Sequence, residues 1–231
     1  MKKIIALITC LGITLLFPET GSRLANISCE LFGIGWMYFH HITQMVLSLA
    51  TIIVLLLVIK QSSFHTWGFT LKNWKWSLFT AAKFAAGWLI ITVLLNLLFS
   101  FENQIHYEQT IPNIIADLCF DFIVTPLSEE ILFRGLIMGI LILYFPGKLK
   151  IASLSISYAM LFSTLFFSLA HIGINYQELS ISHLDSLQLL FTLGLGFFYA
   201  FMREKTDSLL GPILAHGFSD GSITVIQLLK T

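Results

Sequence analysis

Charge is what this sequence has least of. Its 231 residues carry 13 Lys and Arg and 13 Asp and Glu, 11% of the chain. Soluble domains typically carry about 25%. With 56% hydrophobic residues and a mean hydropathy of +0.84, a water-soluble fold is excluded and an integral membrane protein is implied. A net charge of zero gives no footing for a nucleic-acid partner. The three cysteines, Cys10, Cys29 and Cys119, are odd in number and unpaired in spacing, so neither a disulfide framework nor a thiolate metal site follows. Internal repeats, low-complexity tracts and a soluble domain are missing too. So are the His-Glu-x-x-His zinc helix and the Gly-x-Ser-x-Gly nucleophile elbow. Ser128 and Ser168 therefore have little support as nucleophiles.

What is present is a series of apolar runs: Ile4–Phe17, Leu31–Ile59, Leu78–Phe101, Ile114–Phe145, Ile151–His171, Leu187–Met202 and Leu209–Leu229. A span needs about 20 residues. Leu31–Ile59 is too long for one straight helix, so an interfacial piece is expected around Trp36–His41 before the span proper. Ile114–Phe145 is also too long, and a break is expected at Pro126, which has no N–H for the helical ladder. Between them, Phe64 to Trp76 combines three tryptophans with Lys72 and Lys75, the composition of an interfacial helix in the headgroup layer. Lys2-Lys3 before Ile4–Phe17 has the form of a signal peptide. No small-x-small cleavage site follows, and the segment reads as a short, retained first helix. The fold class expected is all-α, a polytopic membrane bundle of about seven or eight transmembrane helices around an intramembrane polar cavity. Residues 1–231 form one membrane domain, with N-terminal helices and an interfacial segment in 1–113 and the core in 114–231.

With seven spans and a cytoplasmic N-terminus, Lys2, Lys3, Lys60, Lys72, Lys75, Lys83, Lys148, Lys150, Arg203 and Lys205 fall on the cytoplasmic side. Arg23 and Lys230 fall on the other, in keeping with the positive-inside rule. An eighth helix weakens that asymmetry.

Against this background, Glu129, Glu130 and Arg134 stand inside an apolar run, where charge is costly and usually functional. Residues four apart share a helix face, so Glu130 and Arg134 can neutralise each other. Glu129 lies off that face without a partner nearby in sequence, which suits a general base. A purely structural charge cluster is the plainer reading of the three. Phe167 and His171 repeat the i,i+4 spacing, as do His216 and Asp220, whose carboxylate can orient the imidazole. Two Glu and two His from three distant segments also leave a metal site open as an alternative, although metal-binding spacing is absent. Asp117 and Asp121 share a face upstream and are left outside the site. Counting helical rise from the Lys148/Lys150 turn puts Glu129 level with His171, and leaves His216 shallower.

Glu129-Glu-Ile-Leu-Phe-Arg134, then Phe167-x-x-x-His171, then His216-x-x-x-Asp220 resembles the CPBP family of CAAX-protease and bacteriocin-processing proteins, the Abi group of intramembrane glutamic endopeptidases. The likeness runs from about Pro126 to Asp220. It implies metal-independent, cofactor-free hydrolysis of a peptide or membrane-protein substrate, in a multi-pass bacterial plasma-membrane protein. On that likeness Glu129 and His171 activate water, Glu130 with Arg134 shapes the site, and His216 with residue 220 stabilises the oxyanion. Well-known members carry Asn where this chain has Asp220. An ionised carboxylate cannot donate to an oxyanion, so Asp220 is assigned to orient His216. Two other classes remain as alternatives: a non-catalytic immunity or partner-binding protein of the same fold, and a small transporter. The transporter reading expects repeated halves, which are absent.

Overall fold

The computed structural model describes residues 1–32, 35–99, 105, 107–151 and 154–230. Helices dominate: α1 (Lys2–Phe32), α2 (Trp36–Val58), α3 (Trp74–Phe99), an unbroken helical run from Ile111 to Tyr144, α7 (Tyr158–Leu169), α8 (Ser186–Thr206) and α9 (Leu210–Leu228). The long run comprises α4 (Ile111–Cys119), α5 (Thr125–Glu130) and α6 (Met138–Tyr144), joined by π-helical turns at Phe120–Val124 and Ile131–Ile137. Among the described residues, four helices, α1, α2, α3 and α8, are long and apolar enough to cross a membrane. Their outward faces expose large apolar side chains such as Ile53, Leu57, Ile90 and Leu97, the surface a lipid environment requires. The chain is an all-α, multi-pass membrane bundle, with seven helical units among the described residues.

Several local expectations are corrected. The first helix does not stop at Phe17. It passes through Pro18 to Phe32, with Ala6, Cys10 and Ile13 buried in the main core. Trp36–His41 is not a separate interfacial piece; it is the first turn and a half of α2. The Phe64–Trp76 segment is not a helix. It runs through turns until α3 starts at Trp74. Trp67 within it is wholly buried, and Arg203 holds it from below, donating to the carbonyls of His65 (3.0 Å) and Thr66 (2.9 Å). Arg203 is thus an interior latch at 1% exposure. Two β-hairpins also appear: β1 (Lys148–Ile151) with β2 (Leu154–Ser157), and β3 (Gly173–Asn175) with β4 (Ser180–His183). The first takes up the start of the expected Ile151–His171 helix, so α7 begins only at Tyr158.

Pro126 does not break the long helix. A π turn ends immediately before it, with the Thr125 N–H reaching back to the Phe120 carbonyl. Pro126 occupies the first turn of α5, where a missing N–H costs least. It also leaves the Phe122 carbonyl without the partner an α-helix supplies. That oxygen is met by Gly217 of α9, where an added Cβ would lie only 2.4 Å away. The fold therefore joins α9 to the long helix by backbone-to-backbone contact beside the proline.

The short junction before α9 is drawn into the interior of the protein. Ser208 donates to the Thr70 carbonyl (2.5 Å), and the Leu209 N–H donates to the Gly68 carbonyl (2.9 Å). Thr206, Ser208 and Leu209 are buried beneath the Phe64–Thr70 segment. His216 lies only six residues into α9, about 9 Å of rise, yet it starts from a buried turn. Gly217→Val is expected to cost about 1–3 kcal/mol or more by overpacking, read as a lowered midpoint of thermal unfolding in detergent. Val at the open position Gly87, where nothing lies within 4 Å of an added Cβ, is the matched control.

Candidate active site

The site is built on a buried ion pair. Arg134 Nη1 donates to Glu130 Oε1 at 2.8 Å, and both side chains have 0% exposure. The i,i+4 spacing placed them together as expected. Tertiary packing supplies the rest of the guanidinium's surroundings. Arg134 Nη2 donates to the Gly196 carbonyl at 2.9 Å, and the guanidinium lies 4.2 Å from the Phe167 ring centroid and 5.3 Å from that of Tyr199. Gly196 is needed there, because an added Cβ would sit 2.8 Å from Phe167 and 3.2 Å from Arg134 Nη2.

Glu130 Oε1 has a second partner, His216 Nδ1, also at 2.8 Å. The other ring nitrogen, Nε2, lies 3.2 Å from Asp220 Oδ2 and 3.8 Å from Glu129 Oε2. Each nitrogen of His216 thus faces a carboxylate, an arrangement in which the ring donates on both sides only when it carries both protons. Tyr199 stacks on the ring at 4.9 Å and 16° between planes, and Phe167 meets it edge-on at 5.9 Å. His216 is fixed from four directions.

Glu129 differs from its neighbour. Its side chain keeps 16% exposure, its Oε2 lies 3.8 Å from His216 Nε2, and it lines a cavity of about 730 Å³. His171, Phe167, Tyr199, His216 and Asp220 line the same cavity. His171 sits just past the end of α7, its Nδ1 2.8 Å from the Phe167 carbonyl and its ring edge-on to Phe167 at 4.9 Å. With Nδ1 turned to the backbone, Nε2 is the nitrogen left for the cavity.

All six candidate residues are therefore gathered in one place: Glu129, His171, His216 and Asp220 on the cavity wall, Glu130 and Arg134 behind it. Asp117 and Asp121 are elsewhere, bound by Tyr107 (2.7 Å) and by Thr224. Ser128 is fully buried, and Ser168 pairs with Thr192 at 3.1 Å. Among the described residues, no three His, Cys, Asp or Glu side chains are grouped to hold a metal ion. Sequence reasoning missed Tyr199. The signal was the buried face of α8, on which Gly196, Tyr199 and Arg203 recur at helical spacing.

The two adjacent carboxylates should separate cleanly in stability measurements. Glu130→Gln or Arg134→Met strands a buried charge and is expected to cost about 3–5 kcal/mol. Glu129→Gln is expected to move the detergent unfolding midpoint little. Equal losses from Glu129→Gln and Glu130→Gln would make Glu129 part of the structural cluster.

Residues 111–222 match the family described as type II CAAX prenyl endopeptidase Rce1-like. CAAX prenyl protease 2 of Arabidopsis thaliana is 31% identical over 134 residues, which make up 52% of this chain. They span only 40% of that relative's length. No solved structure matches the chain significantly. The matched segment holds every residue of the cluster, so the likeness to CAAX proteases runs through the site itself.

Proposed function

We propose that the protein is a CAAX-type endopeptidase working within the membrane, cleaving a peptide or membrane-protein substrate by Glu- and His-activated water. One observation carries this reading. Of two adjacent carboxylates, one is spent wholly on internal partners and the other stands at a cavity wall with two histidines. A structural charge cluster has no need of that division. The family match of residues 111–222 supports the reaction class.

In the proposed reaction a water between Glu129 and His171 gives its proton to Glu129 as it attacks the scissile carbonyl. General-base assistance of this kind is typically worth about 10²–10⁴-fold. His216, held at Nδ1 by Glu130, offers its Nε2–H to the oxyanion in place of Asp220. A preplaced donor of this sort contributes roughly 10²–10³-fold. The proton on Glu129 then passes to the leaving amine. Glu130 and Arg134 touch neither substrate nor water and keep His216 and the Gly196 backbone in register.

The decisive experiment compares new peptide termini in membranes of cells expressing wild type or Glu129→Gln at equal levels. Termini found only with wild type are expected, and they identify the substrate. Matching profiles with an unchanged host phenotype would favour a non-catalytic binding protein. On an identified substrate, Asp220→Asn is expected to retain at least wild-type turnover, because an amide both accepts from His216 and donates to the oxyanion. Asp220→Ala is expected to lose about tenfold or more. Chelators are expected to leave the rate unchanged, and inhibition reversed by added zinc would overturn the metal-free chemistry.

A further inference from the structure

The buried face of α2 is not what an apolar span ordinarily packs inward. Its buried residues are His41, Gln44, Ser48 and Ile52, one stripe of which three members are polar. Lipid-facing positions of the same helix are apolar, with Ile53 and Val54 more than half exposed. Polar side chains turned to the interior of a membrane helix mark helix–helix hydrogen bonding or function. The hydrogen bonds that the stripe makes to the long helix converge on one residue, Ser128. Gln44 Nε2 donates to Ser128 Oγ at 2.8 Å, and His41 Nδ1 lies 3.3 Å from the same oxygen. Ser48 in turn donates to the Gln44 carbonyl at 2.8 Å. Ser128 is fully buried and directly precedes Glu129.

The segment that carries Glu129 has weak internal control of its own rotation. α5 is six residues long, lies between two π turns, and contains Pro126, so its ladder is irregular on both sides. A π turn changes the angular relation between the helix before it and the helix after it. Consecutive helical residues point about 100° apart. Fixing the azimuth of Ser128 therefore fixes that of Glu129. With a carboxylate several ångströms from the axis, a rotation of about 10–20° moves it by an ångström or two, enough to cost on the order of 10²-fold in a positioned reaction.

From this we infer that His41 and Gln44 are positioning residues, which hold the short α5 segment through Ser128 so that the Glu129 carboxylate faces His171 and His216 across the cavity. They touch neither the cavity nor the reacting atoms. The inference rests on the reading of Glu129 as general base.

Two readouts test it, one independent of hydrolysis. In a Cys29→Ser, Cys119→Ser background, the thiol introduced by Glu129→Cys is titrated with a small maleimide in detergent, with and without Gln44→Leu. Cys10 is buried and serves as the internal measure of unfolding. At equal Cys10 protection, Gln44→Leu is expected to change the labelling rate about tenfold or more, and an unchanged rate overturns the proposal. On an identified substrate, Gln44→Leu and Ser128→Ala are expected to lower kcat roughly 10- to 100-fold with KM little changed, and Ser128→Thr to restore most of it. Loss of activity only in proportion to the folded fraction means the stripe is helix-packing glue and also overturns it. If wild type hydrolyses nothing, the protease reading fails, while the labelling result still decides whether α2 sets the rotation of α5.

Discussion

The Glu130–Arg134 pair is the interaction on which the remainder of this bundle depends. Two full charges at 0% exposure are tolerable only if each is engaged from several sides, since an unpaired charge in a low-dielectric interior is severely penalised. Meeting that demand brings three other helices to one point. α8 supplies the Gly196 carbonyl and the Tyr199 ring, α7 supplies Phe167, and α9 supplies His216. One nitrogen of the guanidinium, Nε, and one oxygen of the carboxylate, Oε2, have no protein partner among the described residues. The network is thus close to satisfied and has little slack.

Backbone irregularity makes this convergence possible. A regular helix from Ile111 to Tyr144 would present one fixed sequence of faces. The two π turns rotate α5 relative to the helix on either side. The same irregularity weakens local definition, and the structure restores it from outside. Gly217 lies against the Phe122 carbonyl, Gln44 holds Ser128, and the ion pair with His216 holds Glu130. These contacts come from α2, from α9 and from the next turn of the long helix, so the geometry around Glu129 reports on how those helices assemble.

Neighbouring glutamates consequently have different surroundings. Glu130 has its Oε1 shared between a guanidinium and an imidazole, whereas Glu129 keeps some exposure and looks onto the cavity. Asp220 completes the bracket around His216 from the other side. In the proposed reaction, this carboxylate would orient His216 and leave the imidazole to donate.

The sequence by itself determined whatever the helical period controls. Low charge and long apolar runs required a membrane bundle. The i,i+4 spacing joined Glu130 to Arg134, Phe167 to His171 and His216 to Asp220, because residues one turn apart meet whatever the rest of the chain does. The length of α1, the buried turn before α9 and the passage of the helix through Pro126 were not legible. Each depends on a partner distant in sequence: the core residues packed on Ala6 and Cys10, the Phe64–Thr70 segment, and Gly217. The polar stripe of α2 was visible as residues but not as a contact, since only packing shows that it ends on Ser128. The spacing set Glu130 apart by pairing it with Arg134, but only tertiary structure decided that the pair is enclosed and that Glu129 faces the cavity. Adjacent residues on a helix differ by about 100°, and only the positions of the surrounding helices say which direction is inward.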